Sequence, residues 1–147
     1  MKLFVFILLI TGCSVAVSRG SDTAKHEHKK LDGTWVVESV LRDPREKNSE
    51  ERGKGIRCVI EGAKVVAKLP GDDNPAGTLI IKIDPTKKLK TMDIRPEGEK
   101  DTILAIYELE GDTLRVCISP VGKERPTEFA SKPGTGHALV VLKRKKP

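Results

Sequence analysis

His26-Glu27-His28 is the tightest grouping of metal-capable side chains in the chain. Two imidazoles around a carboxylate can weakly hold zinc or copper, but a lasting site needs further ligands in fixed geometry. The third histidine, His137, stands far along the sequence, and no C-x-x-C or other zinc spacing exists. No metal site is expected. Asp72-Asp73 and Glu50-Glu51 are adjacent carboxylates, the raw material of acid–base chemistry, but both lie in charged, loop-like stretches where such pairs are solvated surface. His137 has no identifiable nucleophile or orienting partner. Arg125-Pro126-Thr127-Glu128-Phe129 can be read as a ligand-facing Arg/Glu pair, or as a salt bridge beside a short extended piece; the second reading is preferred. There is no G-x-S-x-G elbow, no phosphate-cradling glycine loop and no H-E-x-x-H. The residues therefore point to a non-catalytic protein with no cofactor.

The chemistry that does stand out is at the amino terminus. Lys2 precedes an uncharged apolar run, Leu3 to Ile10, too short to span a bilayer as a helix. A charged start and a short apolar run form the layout of an export signal. Ile10-Thr11-Gly12-Cys13 then resembles the lipobox of bacterial lipoproteins, whose signal is cut before a cysteine that becomes acylated. On this reading residues 1–12 are a signal peptide and Cys13 is lipidated. Residues 13–30 are then a flexible tether, on the order of 20–25 Å end to end as a coil. The protein is expected to be exported and held by lipid in the cell envelope, on its periplasmic or surface face.

Over 147 residues the formal charge is +6, with both signs interspersed. The one basic block is Lys143-Arg144-Lys145-Lys146, which can meet phospholipid head groups or nucleic acid. Such tails are more often simply solvated, and export argues against a nucleic-acid partner. Cys58 and Cys117 sit in strand-like runs. Outside the cytoplasm two such thiols can pair, but nothing in the sequence brings them within bridging distance, and two unpaired thiols behaving as small buried hydrophobes are the preferred reading.

From Leu31 onward the pattern is that of strands. Alternation sets Trp35, Val37, Ser39 and Leu41 on one face of the first. GIRCVIEGAKVVAKL predicts a hairpin turning near Glu61-Gly62, and GTLIIKI and LKTMDIR follow. ILAIYELEGDTLRVCI predicts another hairpin around Gly111-Asp112, a pair suited to a two-residue turn. HALVVLKR closes the chain, and the charged insert Arg42–Lys54 separates the first two strands. About eight short strands joined by hairpins predict an all-β, antiparallel sandwich or up-and-down barrel over residues 31–147. Barrel closure has the advantage of removing exposed strand edges.

Leu31-Asp32-Gly33-Thr34-Trp35 is similar to the glycine-x-tryptophan opening of lipocalins. The longer order LDGTW, IDPTKKLKTMDI, IYELEGDTLRVCISPVGKERPTEFASKPGTG and LVVLKR resembles a planctomycete lipocalin-like domain family of unknown function, over residues 31–145. One departure is Leu89, where that family carries proline, and it bears only on the local turn. The resemblance implies a calycin-type antiparallel barrel with no assigned ligand or activity. It also implies that Trp35 plugs one barrel end with Arg144 from the last strand lying across it.

Two functions are compatible with such a barrel. It can hold a small apolar ligand against inward-facing Val37, Leu79, Ile81, Ile83 and Leu109, with the 42–54 insert in the position of a lid. Alternatively it is a filled barrel serving as a structural or protein-interaction module of the envelope. A monomer is expected, whose membrane contact is the N-terminal lipid. The lipobox reading has a direct test: Cys13→Ser should release the protein from the membrane fraction or block its processing. A Ser variant that matures normally and stays membrane-bound would remove it.

Overall fold

The computed structural model describes residues 19–43, 45 and 51–147. The apolar run, Cys13 and Glu50 of the Glu50-Glu51 pair lie outside the described residues. Eight strands follow one another: β1 (Gly33–Leu41), β2 (Arg57–Glu61), β3 (Lys64–Lys68), β4 (Pro75–Asp84), β5 (Thr91–Pro96), β6 (Ile103–Glu110), β7 (Thr113–Ile118) and β8 (Ala138–Arg144). Each pairs antiparallel with its neighbour in sequence, and β1 pairs with β8, so the sheet closes into an eight-stranded, lipocalin-like barrel. Glu61–Lys64 and Glu110–Thr113 are the last pairs of their hairpins, on either side of two-residue turns. Gly111 has φ +58°, a conformation that glycine adopts without a Cβ penalty.

Period-two alternation sends Trp35, Val37, Ile60, Val65, Ile81, Ile83, Met92, Ile94 and Tyr107 inward, into the main core. The first strand departs from strict alternation. Its register shifts between Val37 and Ser39, so Val40, not Ser39, is the next residue buried in that core, and Leu41 packs in a separate cluster. A bulge of this kind inserts one residue and flips the faces beyond it.

That separate cluster joins Ile106, Cys117 and Leu139, with Leu41 and Phe129 against them. Ile106, Cys117 and Leu139 are cross-strand partners on the outer face. The long β7–β8 connection, 119–137, folds back over them. Arg125 fastens this connection by donating to the carbonyls of Ala105 (2.7 Å) and Met92 (3.3 Å) and to the Asp93 carboxylate (2.6 Å). Glu128 pairs with Lys132, and Arg115 stands 5.4 Å from the Phe129 ring centre. The RPTEF segment thus clamps the outer wall through a salt bridge, in line with the second of its two expected readings, and it forms no strand.

The tether expectation is corrected at its inner end. Residues Arg19–Leu31 form a helix, α1, packed against β2 and β4. Asp22 in its first turn and His28, Lys29 and Lys30 in its last complement the helix dipole. A helix of this length is marginal alone, and what holds it is the barrel. Leu31 is fully buried in the core, and Glu27 is 4 % exposed. The Glu27 carboxylate accepts from Lys90 at 2.5 Å and pairs with Lys30 at 3.3 Å, with the Tyr107 hydroxyl 3.4 Å away. The metal-like His-Glu-His triplet therefore spends its carboxylate on docking, and among the described residues no three metal-capable side chains cluster.

Burial works to raise the Glu27 pKa, but the hydrogen bonds and charges of Lys90 and Lys30 outweigh it and leave it below the ordinary carboxylate value. A depressed folded-state pKa contributes stability that is complete above the unfolded value and lost as pH falls through the folded one. Glu27→Gln should cost on the order of 1–3 kcal/mol of helix docking at neutral pH, read as faster tryptic cleavage after Lys29 and Lys30. Wild type and variant should converge in acid; a constant difference across that range would remove Glu27 as the docking charge.

Candidate functional site

The strand directions divide the barrel into two ends. At the end where β1 begins and β8 finishes, Trp35 is fully buried and pairs in register with Arg144. The Arg144 guanidinium carbon lies 4.3 Å from the Trp35 ring centre. Its Nη1 donates to the Asp32 carbonyl (2.7 Å) and its Nη2 to the Lys30 carbonyl (2.6 Å). Nε stands 3.4 Å from the Asp112 carboxylate on the β6–β7 turn. Trp35 Nε1 donates to the Leu31 carbonyl at 2.8 Å. Three successive carbonyls at the C-terminus of α1, which a helix leaves without internal partners, are thus satisfied by these two side chains. A cation at this pole also meets the negative end of the helix dipole.

Gly33 makes the approach feasible. Its φ is +133°, and a Cβ there would stand 2.9 Å from Arg144 Nη1. Behind Trp35, Tyr107 is 1 % exposed. Burial first, and then the nearby Glu27 charge, push its phenol well above the ordinary value. This end of the barrel is sealed.

Among the described residues the opposite end is open. A mouth of about 740 Å³ lies between the β1–β2 and β7–β8 connections, with Arg42, Arg52, Ile56, Ile103 and Pro120 on its rim. The mouth shares Val37, Cys58, Leu79, Ile118 and Val140 with a deeper cavity of about 130 Å³, whose lining is apolar throughout. Of the five residues expected to face a ligand, Val37, Leu79 and Ile81 line this cavity. Ile83 and Leu109 also belong to the main core, but sit near the ends of β4 and β6 toward the seal and are not among its lining. Alternation within each strand found the inward face; it carried no information on depth along the barrel. Ile60, Val65, Met92, Ile94, Leu114, Val116 and Leu142 complete the wall, and the same alternation marks them.

Arg42 and Arg52 are exposed and form no ion pair among the described residues. By contrast Asp43 binds Arg45 and accepts from the Gly134 amide, which pulls its pKa well below the usual range. The Arg45 hydrogen bonds are the main cause. The Ser131 hydroxyl donates to the Arg42 carbonyl at 3.2 Å. These contacts tie the two long connections together at the mouth.

Cys58 and Cys117 are both free. Cys58 faces the cavity and Cys117 the outer cluster, so the barrel wall separates them. Burial is the main cause that raises both thiol pKa values. His137 begins no strand and donates its amide to Thr135 Oγ1. Asp73 pairs with Arg57 at 2.8 Å, and Asp72 accepts from Asn74 within its own turn. None of these groups faces a nucleophile.

No family model, curated protein or solved structure matches this chain. Among the described residues no helix is long and apolar enough to cross a membrane.

The sealed end yields a stability test. Arg144→Ala removes the ring contact and leaves two carbonyls without their charged donor, so it should cost about 2 kcal/mol or more. Gly33→Ala should cost a similar amount, about 1–3 kcal/mol, through strain at positive φ. Lys123→Ala, on an exposed loop, should be near neutral. Equal denaturant midpoints for all three variants would dissolve the seal as a stabilising unit.

Proposed function

We propose that this protein is a non-catalytic, membrane-tethered carrier that holds a small apolar molecule in its barrel. The observation that carries the reading is the deep cavity of about 130 Å³ without a polar lining group, continuous in its walls with the open mouth. A barrel packed solid would instead favour the interaction module. Apolar voids near 150 Å³ accept a molecule about the size of benzene, so a longer ligand occupies the void with one end and the mouth with the rest. Each buried methylene contributes about 0.8 kcal/mol, and micromolar affinity needs about 8 kcal/mol. A ligand of roughly ten methylenes or their equivalent is therefore the minimum, and it must use the mouth.

At the rim, Arg42 and Arg52 suit an acidic end group on such a chain. The resemblance of residues 31–145 to a lipocalin-like family and the lipobox at Cys13 support the same picture.

The test uses the full chain carrying Cys13→Ser, screened by thermal shift against fatty acids, their alcohols and isoprenoids. A true ligand should stabilise by about 2.7 kcal/mol at a hundredfold excess over its dissociation constant, with a negative heat-capacity change. It should also protect Cys58 from an apolar thiol reagent, while Cys117 stays unreactive with or without ligand. Arg42→Ala should weaken acids more than the matching alcohols. Absence of a shift with every class, and Cys58 labelling unchanged by any of them, would end the carrier reading.

A further inference from the structure

The outer wall of β1–β3 holds a second site, unrelated to the cavity. Arg57 and Lys68 are direct cross-strand partners on the solvent face. Like charges so placed oppose each other and cost stability. The C-terminal segment adds to the charge instead of relieving it. The Lys145 amide donates to the Thr34 carbonyl at 2.8 Å, which lays the chain along β1 and brings Lys145 and Lys146 to the same groove. The groove has a volume of about 360 Å³; Thr34, Arg57, Lys68, Lys145 and Lys146 line it together with Val59 and Pro147.

The nearby side-chain carboxylates only partly offset these cations. Asp73 contacts Arg57 Nη2 from a side chain that is 89 % exposed, and its pKa is lowered first by the Arg57 hydrogen bond and then by charge, including that of Lys68 and Lys145. Asp112 lies 3.4 Å from Lys146 but is shared with Arg144. Lys68 and Lys145 form no ion pair among the described residues. Four cations in one concave groove, two of them opposed on adjacent strands, form a receptor short of negative charge.

We propose that this groove binds a phosphate ester. Such a group carries its charge on several oxygens, so it can bridge Arg57 and Lys68 at once. Arg57 can offer the guanidinium nitrogens that Asp73 leaves free, Lys68 and Lys145 act as point charges, and the Thr34 hydroxyl can donate. The bridging anion turns the Arg57–Lys68 repulsion into a shared attraction. A lipid head group and a soluble phosphate share this chemistry, and the groove lies on the outer wall, near the sealed end of the barrel.

The experiment takes the full chain with Cys13→Ser and compares inorganic phosphate with chloride at matched ionic strength. Phosphate should raise the melting temperature above chloride. Lys68→Gln and Lys145→Gln should each weaken phosphate binding about tenfold or more, while Lys87→Gln, at the β4–β5 loop, should not. In chloride at low ionic strength, Lys68→Gln should be at least as stable as wild type, because it removes the repulsion. In a parallel arm the same variants are sedimented with phosphatidylcholine vesicles with and without phosphatidylglycerol. Lys68-dependent binding to the anionic vesicles but not to free phosphate identifies a head group, and the reverse identifies a soluble phosphate. If neither probe responds to Lys68 or Lys145 more than to Lys87, the groove is ordinary solvated surface and the proposal is overturned. The ligand screen of the cavity is unaffected by either result.

Discussion

Arg144 lying over Trp35 is the interaction on which the rest of the arrangement depends. The pair exists only because β8 returns to lie beside β1, and it then does three things from one place. It closes the end of the barrel, neutralises the carbonyl pole of α1, and anchors the β6–β7 turn through Asp112. A cation over an indole contributes roughly 0.5–2 kcal/mol. Its hydrogen bonds to two backbone carbonyls, the one at Asp32 part-buried, add to this. Gly33 at the start of β1 provides the space that this convergence needs.

Sealing one end decides the character of the other. With Leu31, Trp35 and Tyr107 filling the base, the remaining free volume collects in the centre and at the mouth. The mostly aliphatic wall there has few ways to interdigitate: side chains from seven of the eight strands leave a cavity of about 130 Å³. No buried polar group lines that void, so no hydrogen bond is left unmade by filling it with an apolar molecule. Polar groups reappear only at the rim, where Arg42 and Arg52 stand. The base is thus built for stability and the mouth for access.

The outer surface is divided in a similar way. On the β6–β8 side, apolar outward residues are covered by the 119–137 connection, which Arg125 pins to two strand carbonyls. On the β1–β3 side the C-terminal segment runs along β1 and adds its own cations to those of the wall, leaving an open groove among the described residues. One face is therefore a second small core and the other a charged groove.

The strands and their order were legible in the sequence because both are local. Period-two alternation, the Gly111-Asp112 turn and the proline and glycine punctuation each act over a few residues. The closing contact between Trp35 and Arg144 was also legible, since a strand order that closes must bring the first and last strands together, and the lipocalin resemblance names the same pair. Helix α1 was not. Its residues are mostly polar, and its stability comes from Trp35, Lys90, Tyr107 and Arg144, all distant in the chain except Trp35. The dipole-matched charges of Asp22 and Lys29-Lys30 were the one local signal available. The bulge after Val37 was equally hidden, because it answers to the register of β8 and not to the composition of β1. Ile106 and Cys117 facing outward depends on a loop that covers them. The cavity and its depth depend on how side chains from all eight strands meet across the barrel. Sequence determines which residues face inward; only the closed tertiary structure decides how much space they leave.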